Sequence, residues 1–224
     1  MTDLVLSNSN PIKIFYHVYA NDLAWERVVS SQMTKLLYSG LLLKCVACYV
    51  IITGPDCQFC EQIIKRYPRT IVSCFPSDTT TERITLLDMH NKIDDNDYVL
   101  YIHTKGVTNN YIDQIIKVED WRNLMEWYLI FQHETCLALL KQYDTVGLNY
   151  LEHPHEPHYS GNFWWTRGSH YQKLSRNIGP EYLDPERYLL SVDCNHHCIY
   201  HSHTNHYHHR YPMELYIYNE SKLD

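Results

Sequence analysis

The chain predicts a three-layer α/β fold built around a mostly parallel sheet. Short runs rich in β-branched and aromatic residues, such as IKIFYHVYA (12–20), YVLYIH (98–103) and DTVGLN (144–149), read as strands. The segments between them carry apolar residues at helical spacing. Strands alternating with helices bury a parallel sheet between two helical layers. The 224 residues, 45% hydrophobic and 20% charged, suffice for one globular domain over 1–224 with a real core.

After the first strand, Asn21-Asp22 supplies an N-cap for LAWERVVSSQMTKLLYSGL. There Leu23, Val28, Met33, Leu36 and Leu37 fall near helical spacing, and Gly40 closes the helix. LLLKCVACYVII (41–52) predicts a second strand, apolar enough to be buried on both faces. Gly54-Pro55-Asp56 turns into a short helix over about 57–67, and 69–75 forms a third strand. Ser77-Asp78 precedes Thr79-x-x-Glu82, a capping box for the helix ERITLLDMHNKI. YVLYIH is the fourth strand, a helix spans about 118–142, and DTVGLN and NFWW add further strands. There is no internal repeat and no low-complexity linker.

A net charge of −7, with 15 histidines counted neutral, argues against a nucleic-acid binder, which needs a basic face for phosphates. The N-terminus lacks the basic and apolar regions of a secretory signal. No stretch approaches the roughly 20 apolar residues of a membrane span. Eight cysteines in such a chain imply reduced thiols and a soluble, cytoplasmic protein. Cys45 and Cys48 lie in an apolar run and read as core; Cys57-x-x-Cys60 is a weak signal for a redox pair or half a zinc site.

Ligands of open α/β sheets bind beyond the carboxyl ends of the strands. The clearest strand ends in His103-Thr104-Lys105-Gly106. A lysine and a hydroxyl followed by glycine can meet an anionic ligand, the glycine letting backbone approach. Neither GxxxxGK[ST], GxGxxG, GxSxG nor HExxH occurs, so P-loop kinases, dinucleotide dehydrogenases, α/β-hydrolases and zincin proteases lose their main support.

YVLYIHTKG, DWRNLMEWYL (120–129), YDTVGLNY (143–150) and PHYSGNFWWTR (157–167) together resemble a family of small glycosyltransferases of the GT-A type. These occur in bacterial polysaccharide clusters and in large DNA viruses that glycosylate their own capsids. The resemblance covers roughly residues 12–190 and implies a GT-A (Rossmann-like) domain. It further implies transfer of a sugar from a nucleotide-diphosphate sugar to a hydroxyl of a glycan or glycoprotein. His103, Thr104, Lys105 and Arg122 are then substrate-binding residues.

GT-A enzymes commonly hold a divalent cation, Mn2+ or Mg2+, with a D-x-D motif at the end of a strand. Asp95-Asn96-Asp97 matches that string, but it precedes YVLYIH, where Asp94, Asp95 and Asp97 also suit a solvated turn. Two options follow. Either His103 belongs to an unusual metal site, or Lys105 supplies the charge a metal would give to the departing diphosphate.

Sugars pack their C–H faces on aromatic rings, and their hydroxyls seek polar partners. HYSGNFWW offers both, with His158, Ser160, Gly161 and Asn162 beside Trp164 and Trp165. Side chains alternate along a strand, so one tryptophan is expected in the core and one in the cleft. An inverting transfer needs a general base. The region of Asp184-Pro185-Glu186 suits it, with Glu186, Asp184 and Glu181 as candidates, although Asp184 also fits an N-cap.

From about residue 190 the chain is rich in histidine and tyrosine, with seven histidines and two cysteines in 193–210. The spacing fits no standard zinc finger. A polar tail, a structural zinc site, and a histidine folding back to the diphosphate or its metal are the open readings. His201 or His203 are the candidates for the last. Two other functions compete with the enzyme: a non-catalytic carbohydrate-binding module, which needs no phosphate site, and a zinc-stabilised interaction protein.

Overall fold

The computed structural model describes residues 10–21, 24–76, 82–152 and 157–217. Strand β1 (Ile12–Tyr19) leads to helix α1 (Trp25–Tyr38), whose buried face is Trp25, Val28, Val29, Met33 and Leu36. Gly40 takes the left-handed conformation (φ 78°) that ends α1. The chain then makes a single turn of helix, α2 (Leu41–Lys44), before β2 (Ala47–Thr53). The run expected as one strand over 41–52 is thus divided, because an apolar run fits a buried helical turn as well as a buried strand.

Helix α3 (Cys57–Ile64) and strand β3 (Thr70–Phe75) follow. Cys57 at the start of α3 is disulfide-bonded to Cys74 near the end of β3, their Cα atoms 5.8 Å apart. The expectation of reduced thiols fails there. Cys57 takes the partner that β3 brings opposite it, and Cys60 stays a free, buried thiol like Cys45 and Cys48. Helix α4 (Arg83–Met89) begins directly after Glu82, whose side chain makes no capping bond; Thr79 lies outside the described residues, as do Asp22 and Leu23.

Strand β4 (Tyr98–His103) leads to α5 (Ile112–Glu126), which passes through a π-helical turn (Trp127–Phe131) into α6 (His133–Leu139). The single helix expected over 118–142 is therefore longer at its start and broken inside. The remaining elements are β5 (Thr145–Leu148), the small hairpin β6 (Tyr150–Leu151) with β7 (His158–Tyr159), β8 (Trp164–Arg167) and α7 (Gly168–Tyr171). Then come α8 (Asp184–Arg187), β9 (His196–Tyr200) and α9 (Glu214–Ile217).

The main sheet has the order β3-β2-β1-β4-β8-β5-β9. Its pairs are parallel except at β8, which runs antiparallel to both β4 and β5. This is the GT-A (Rossmann-like) three-layer α/β architecture that the sequence predicts. Helices cover both faces. One core layer joins Ile14, Tyr16 and Val18 of β1 to α1, α3 and α5. The other joins Phe15, Val99 and Tyr101 to α4, α7 and the chain after α8.

That second covering layer resolves the adjacent tryptophans. Trp165 enters the first core layer and Trp164 the second, and they are 0% and 1% exposed. The Trp165 indole donates to the Leu129 carbonyl in the π turn (2.8 Å), and Trp164 stacks on Tyr101. The expectation of one tryptophan in the cleft is corrected: alternation sends the rings to opposite faces, and both faces are dry.

The histidine-rich region is likewise no polar tail. His196–Tyr200 is the edge strand β9, parallel to β5. Arg210 then ties the segment after it to α5 through both carboxylate oxygens of Asp120, at 2.8 and 3.2 Å. Among the described residues no helix is long and apolar enough to cross a membrane.

Candidate functional site

Between β1 and β4 the strand order changes direction, the place where an open α/β sheet forms a crevice at its carboxyl edge. A cleft of about 460 Å3 opens there, within the size range of small-molecule sites. The end of β1 contributes His17 and Tyr19, and the end of β4 contributes His103, Thr104, Lys105 and Gly106. Glu82 and Arg83 enter from the start of α4, Trp121 from α5, Tyr182, Pro185 and Glu186 from around α8, and Tyr207 from the C-terminal segment.

Thr104 fastens the two strand ends. Its N–H donates to the His17 carbonyl (3.0 Å), and its hydroxyl accepts the Tyr19 N–H (2.9 Å). Gly106 sits at φ 84°, and a Cβ there would lie 2.3 Å from Val118 Cγ1, so glycine is required where β4 turns toward α5. Arg122 is buried beneath this turn and donates to the Lys105 carbonyl (2.9 Å). It supports the strand end and does not line the cleft.

Lys105 is the distinctive group. Its ammonium lies 4.2 Å from the centre of the Trp121 ring and 3.9 Å from Glu186 Oε1. Burial lowers its pKa, against the opposing pull of Glu186 and Glu82. A cation over an indole gains from the ring quadrupole. At 3.9 Å, however, the carboxylate is at the limit of an ion pair, and among the described residues no closer side-chain acceptor takes up the ammonium's donors.

The two cleft histidines are neutral. Burial pushes His103 down to about 3, helped by the Lys105 charge, and His17 down to about 4. His103 Nε2 lies 3.0 Å from the Gly161 carbonyl, which fixes that nitrogen as the N–H donor, and His17 Nδ1 is 2.9 Å from Thr85 Oγ1.

The HYSGNFWW block lies behind the cleft wall. Gly161 (φ 98°) permits close approach, but to protein: a Cβ would meet Met125 Sδ at 2.5 Å. Asn162 is fully buried; its side chain accepts the Trp164 indole N–H and donates to Glu82 Oε2, both at 2.8 Å. Ser160 is held by its backbone to Asn149, and His158 belongs to β7. None of these residues, nor either tryptophan, lines the cleft. The block was expected as the floor that touches sugar; it is the support under that floor.

Of the carboxylates expected near the acceptor, Glu186 alone reaches the cleft. Asp184 accepts the Glu181 N–H (2.7 Å) and holds its own turn together, while the Glu181 carbonyl accepts from Arg83. Asp95-Asn96-Asp97 sits at the opposite end of β4. Asp97 is buried against Lys13 (2.7 Å), so the D-x-D string is structural there.

The C-terminal segment does fold back to the site, through other residues than expected. His201 and His203 stack on each other, 4.3 Å between ring centres, away from the cleft. His206 instead stacks on Trp121 (5.2 Å, 11°), and Tyr207 meets the same ring edge-on. Among the described residues no three His, Cys, Asp or Glu side chains stand where they could hold a metal ion. Within the cleft the carboxylates are engaged separately, Glu82 by Tyr101 and Asn162 and Glu186 near Lys105. This donor set does not fit the divalent cation that the GT-A resemblance implies.

Sequence reading missed His17, Tyr19, Glu82, Arg83, Trp121, Tyr182 and Tyr207. His17 and Tyr19 had a usable signal, since they end a strand predicted beside YVLYIH. Glu82 reads in the sequence as a helix-capping residue, and nothing local marks Trp121 or Tyr207.

A family described as "Domain of unknown function (DUF8361)" matches residues 15–216. No curated protein matches. Among solved structures, 4-diphosphocytidyl-2C-methyl-D-erythritol synthase from Anaerococcus prevotii aligns over 86% of this chain and 87% of that one, at 10% identity and TM-score 0.50. A second 4-diphosphocytidyl-2C-methyl-D-erythritol synthase aligns over 89% and 92%, at 10% identity and TM-score 0.43. The first likeness shows a shared fold.

Proposed function

The chain belongs to the DUF8361 family, and we propose that it is a glycosyltransferase taking a sugar from a nucleotide-diphosphate sugar to a hydroxyl of a glycan or glycoprotein. The observation that carries this reading is Lys105: a largely buried ammonium at the crevice between β1 and β4, whose carboxylate partner among the described residues, Glu186, stands 3.9 Å away and also faces the cleft.

The chemistry asks for those two groups. As the bond from the anomeric carbon to the diphosphate oxygen breaks, its electron pair leaves with the diphosphate, and the Lys105 ammonium offsets that charge. The acceptor hydroxyl bonds to the same carbon and gives up its proton; in an inverting transfer Glu186 takes it. Trp121 supports Lys105 from below, and Tyr19, Tyr182 and Tyr207 offer rings to the base and the sugars.

A thermal-shift screen against UDP, GDP, dTDP and CMP and their sugar derivatives, with and without manganese, tests the reading. A true donor stabilises by about 2.7 kcal/mol at a hundred times its dissociation constant. Stabilisation by glycans alone would leave a carbohydrate-binding module. Turnover of a nucleoside triphosphate with pyrophosphate release would make the protein a nucleotidyltransferase instead.

A further inference from the structure

Behind the cleft wall a chain of buried side chains converges on one carboxylate. Glu82 Oε2 accepts the Tyr101 hydroxyl at 2.7 Å and the Asn162 side-chain amide at 2.8 Å. Asn162 is held by the Trp164 indole (2.8 Å), and Trp164 stacks on Tyr101 at 4.9 Å and 25°. Tyr101 and Asn162 are 0% exposed, and Trp164 is 1% exposed. Three buried groups therefore fix the direction of a half-buried side chain at the start of α4.

The arrangement is more than packing needs. A helix start gains from an acidic side chain that caps it, yet Glu82 makes no such bond and turns into the cleft instead. A carboxylate is an acceptor through both oxygens. Both donors of the relay go to Oε2, and among the described residues Oε1 has no hydrogen-bond donor. Glu82 lines the cleft, and with Oε2 held by the relay, Oε1 is its remaining acceptor. Lys105 and Arg83, also in the cleft, suit phosphate, and an anion would be repelled by this carboxylate. A neutral hydroxyl is the group it suits.

We propose that Glu82 recognises sugar hydroxyls in this cleft, presenting Oε1 to a ring hydroxyl while Tyr101, Asn162 and Trp164 act as positioning residues. The inference rests on the nucleotide-sugar reading above and names a contact within it. The hydroxyl belongs either to the ribose of the nucleotide or to the transferred sugar; both present the same chemistry. A charge-assisted hydrogen bond of this kind accounts for about ten- to hundredfold in affinity.

The test is calorimetric titration of UDP, UDP-glucose, GDP, GDP-mannose, dTDP and dTDP-rhamnose into wild type, Glu82→Gln, Glu82→Asp and Trp164→Phe. Glutamine keeps the shape and can still accept from the relay, but it turns the cleft-facing acceptor into a donor. Glu82→Gln is expected to weaken the bound probe at least tenfold. A loss seen already with the nucleoside diphosphate places the contact on the nucleotide's pentose, on its 2′-hydroxyl where UDP or GDP shows the loss and dTDP does not. A loss confined to the sugar conjugate places it on the transferred sugar. Trp164→Phe keeps a ring but removes the indole N–H, and is expected to weaken the same probe by a smaller factor. Should Glu82→Gln not fold, Glu82→Asp withdraws the oxygen from the cleft and reads the same loss. Wild-type affinity in the Glu82 variants would overturn this inference and leave the proposed function standing. Wild type that binds none of the probes would overturn both.

Discussion

The two ends of β4 carry similar residues and use them in opposite ways. At its start, Lys13 of β1 lies 2.7 Å from Asp97 and 3.0 Å from Asp94, and it also donates to the Lys92 carbonyl (2.7 Å). These partners outweigh the desolvation of the ammonium and raise the pKa of Lys13. At its end, Lys105 has Glu186 no closer than 3.9 Å, and burial wins, so its pKa falls. A lysine and carboxylates that satisfy one another hold a fold together. A lysine left short of partners in a concave site is available to a ligand. Charge density therefore does not locate the site on this strand; unspent hydrogen-bonding capacity does.

The largest expected difference is in stability. Lys13→Ala strands the buried Asp97 carboxylate, and removing one partner of such a pair costs about 3–5 kcal/mol. Urea unfolding is expected to show that loss, while nucleotide binding by the folded fraction stays unchanged. Asp95, exposed in the same turn, is expected to tolerate alanine within about 0.5 kcal/mol. Equal losses from Lys13→Ala and Asp95→Ala would break the contrast, because neither would then be paying a burial cost.

Acid sharpens the comparison with a smaller effect. His17 and His206, held near 4, and His103, near 3, belong to the cleft end. Each has its pKa lowered by burial below the ordinary 6.5. Between pH 6.5 and about 4 the unfolded chain binds protons there that the folded chain refuses. Their contribution to stability is therefore full above pH 6.5 and is lost as pH falls through that window, by up to about 1.4 kcal/mol per pH unit for each histidine. Urea midpoints at pH 7.5, 6.5 and 5.5 check this, and His103→Gln should flatten the slope. Midpoints that do not move would mean these histidines titrate alike in the folded and unfolded chains.

Much of this architecture was legible. IKIFYHVYA, YVLYIH and DTVGLN are strands because β-branched and aromatic residues suit a sheet covered on both sides, and strand ends point to the crevice. The same rule marks His103, Thr104 and Lys105 in the sequence alone. It placed Glu186 among three candidates, because a carboxylate's reach depends on how the turn before α8 closes. The tryptophan pair departs from its expected placement for a different reason. Periodicity gives the face each ring takes, but not whether a helix lies over that face. Glu82 and Tyr207 were invisible because what brings them to Lys105 is tertiary: a helix start turned inward and a C-terminal segment folded over α5.

The central claim, that Lys105 is the cation the departing diphosphate meets, is tested most directly by turnover. Donor hydrolysis at saturating nucleotide sugar would be compared in wild type, Lys105→Ala and Lys13→Ala, with and without EDTA. Lys105→Ala is expected to lower kcat by about 10² or more with an unchanged melting temperature, and folded Lys13→Ala to keep wild-type kcat. A Lys105→Ala enzyme that turns over normally would contradict that claim, as would activity that vanishes with EDTA and returns with manganese.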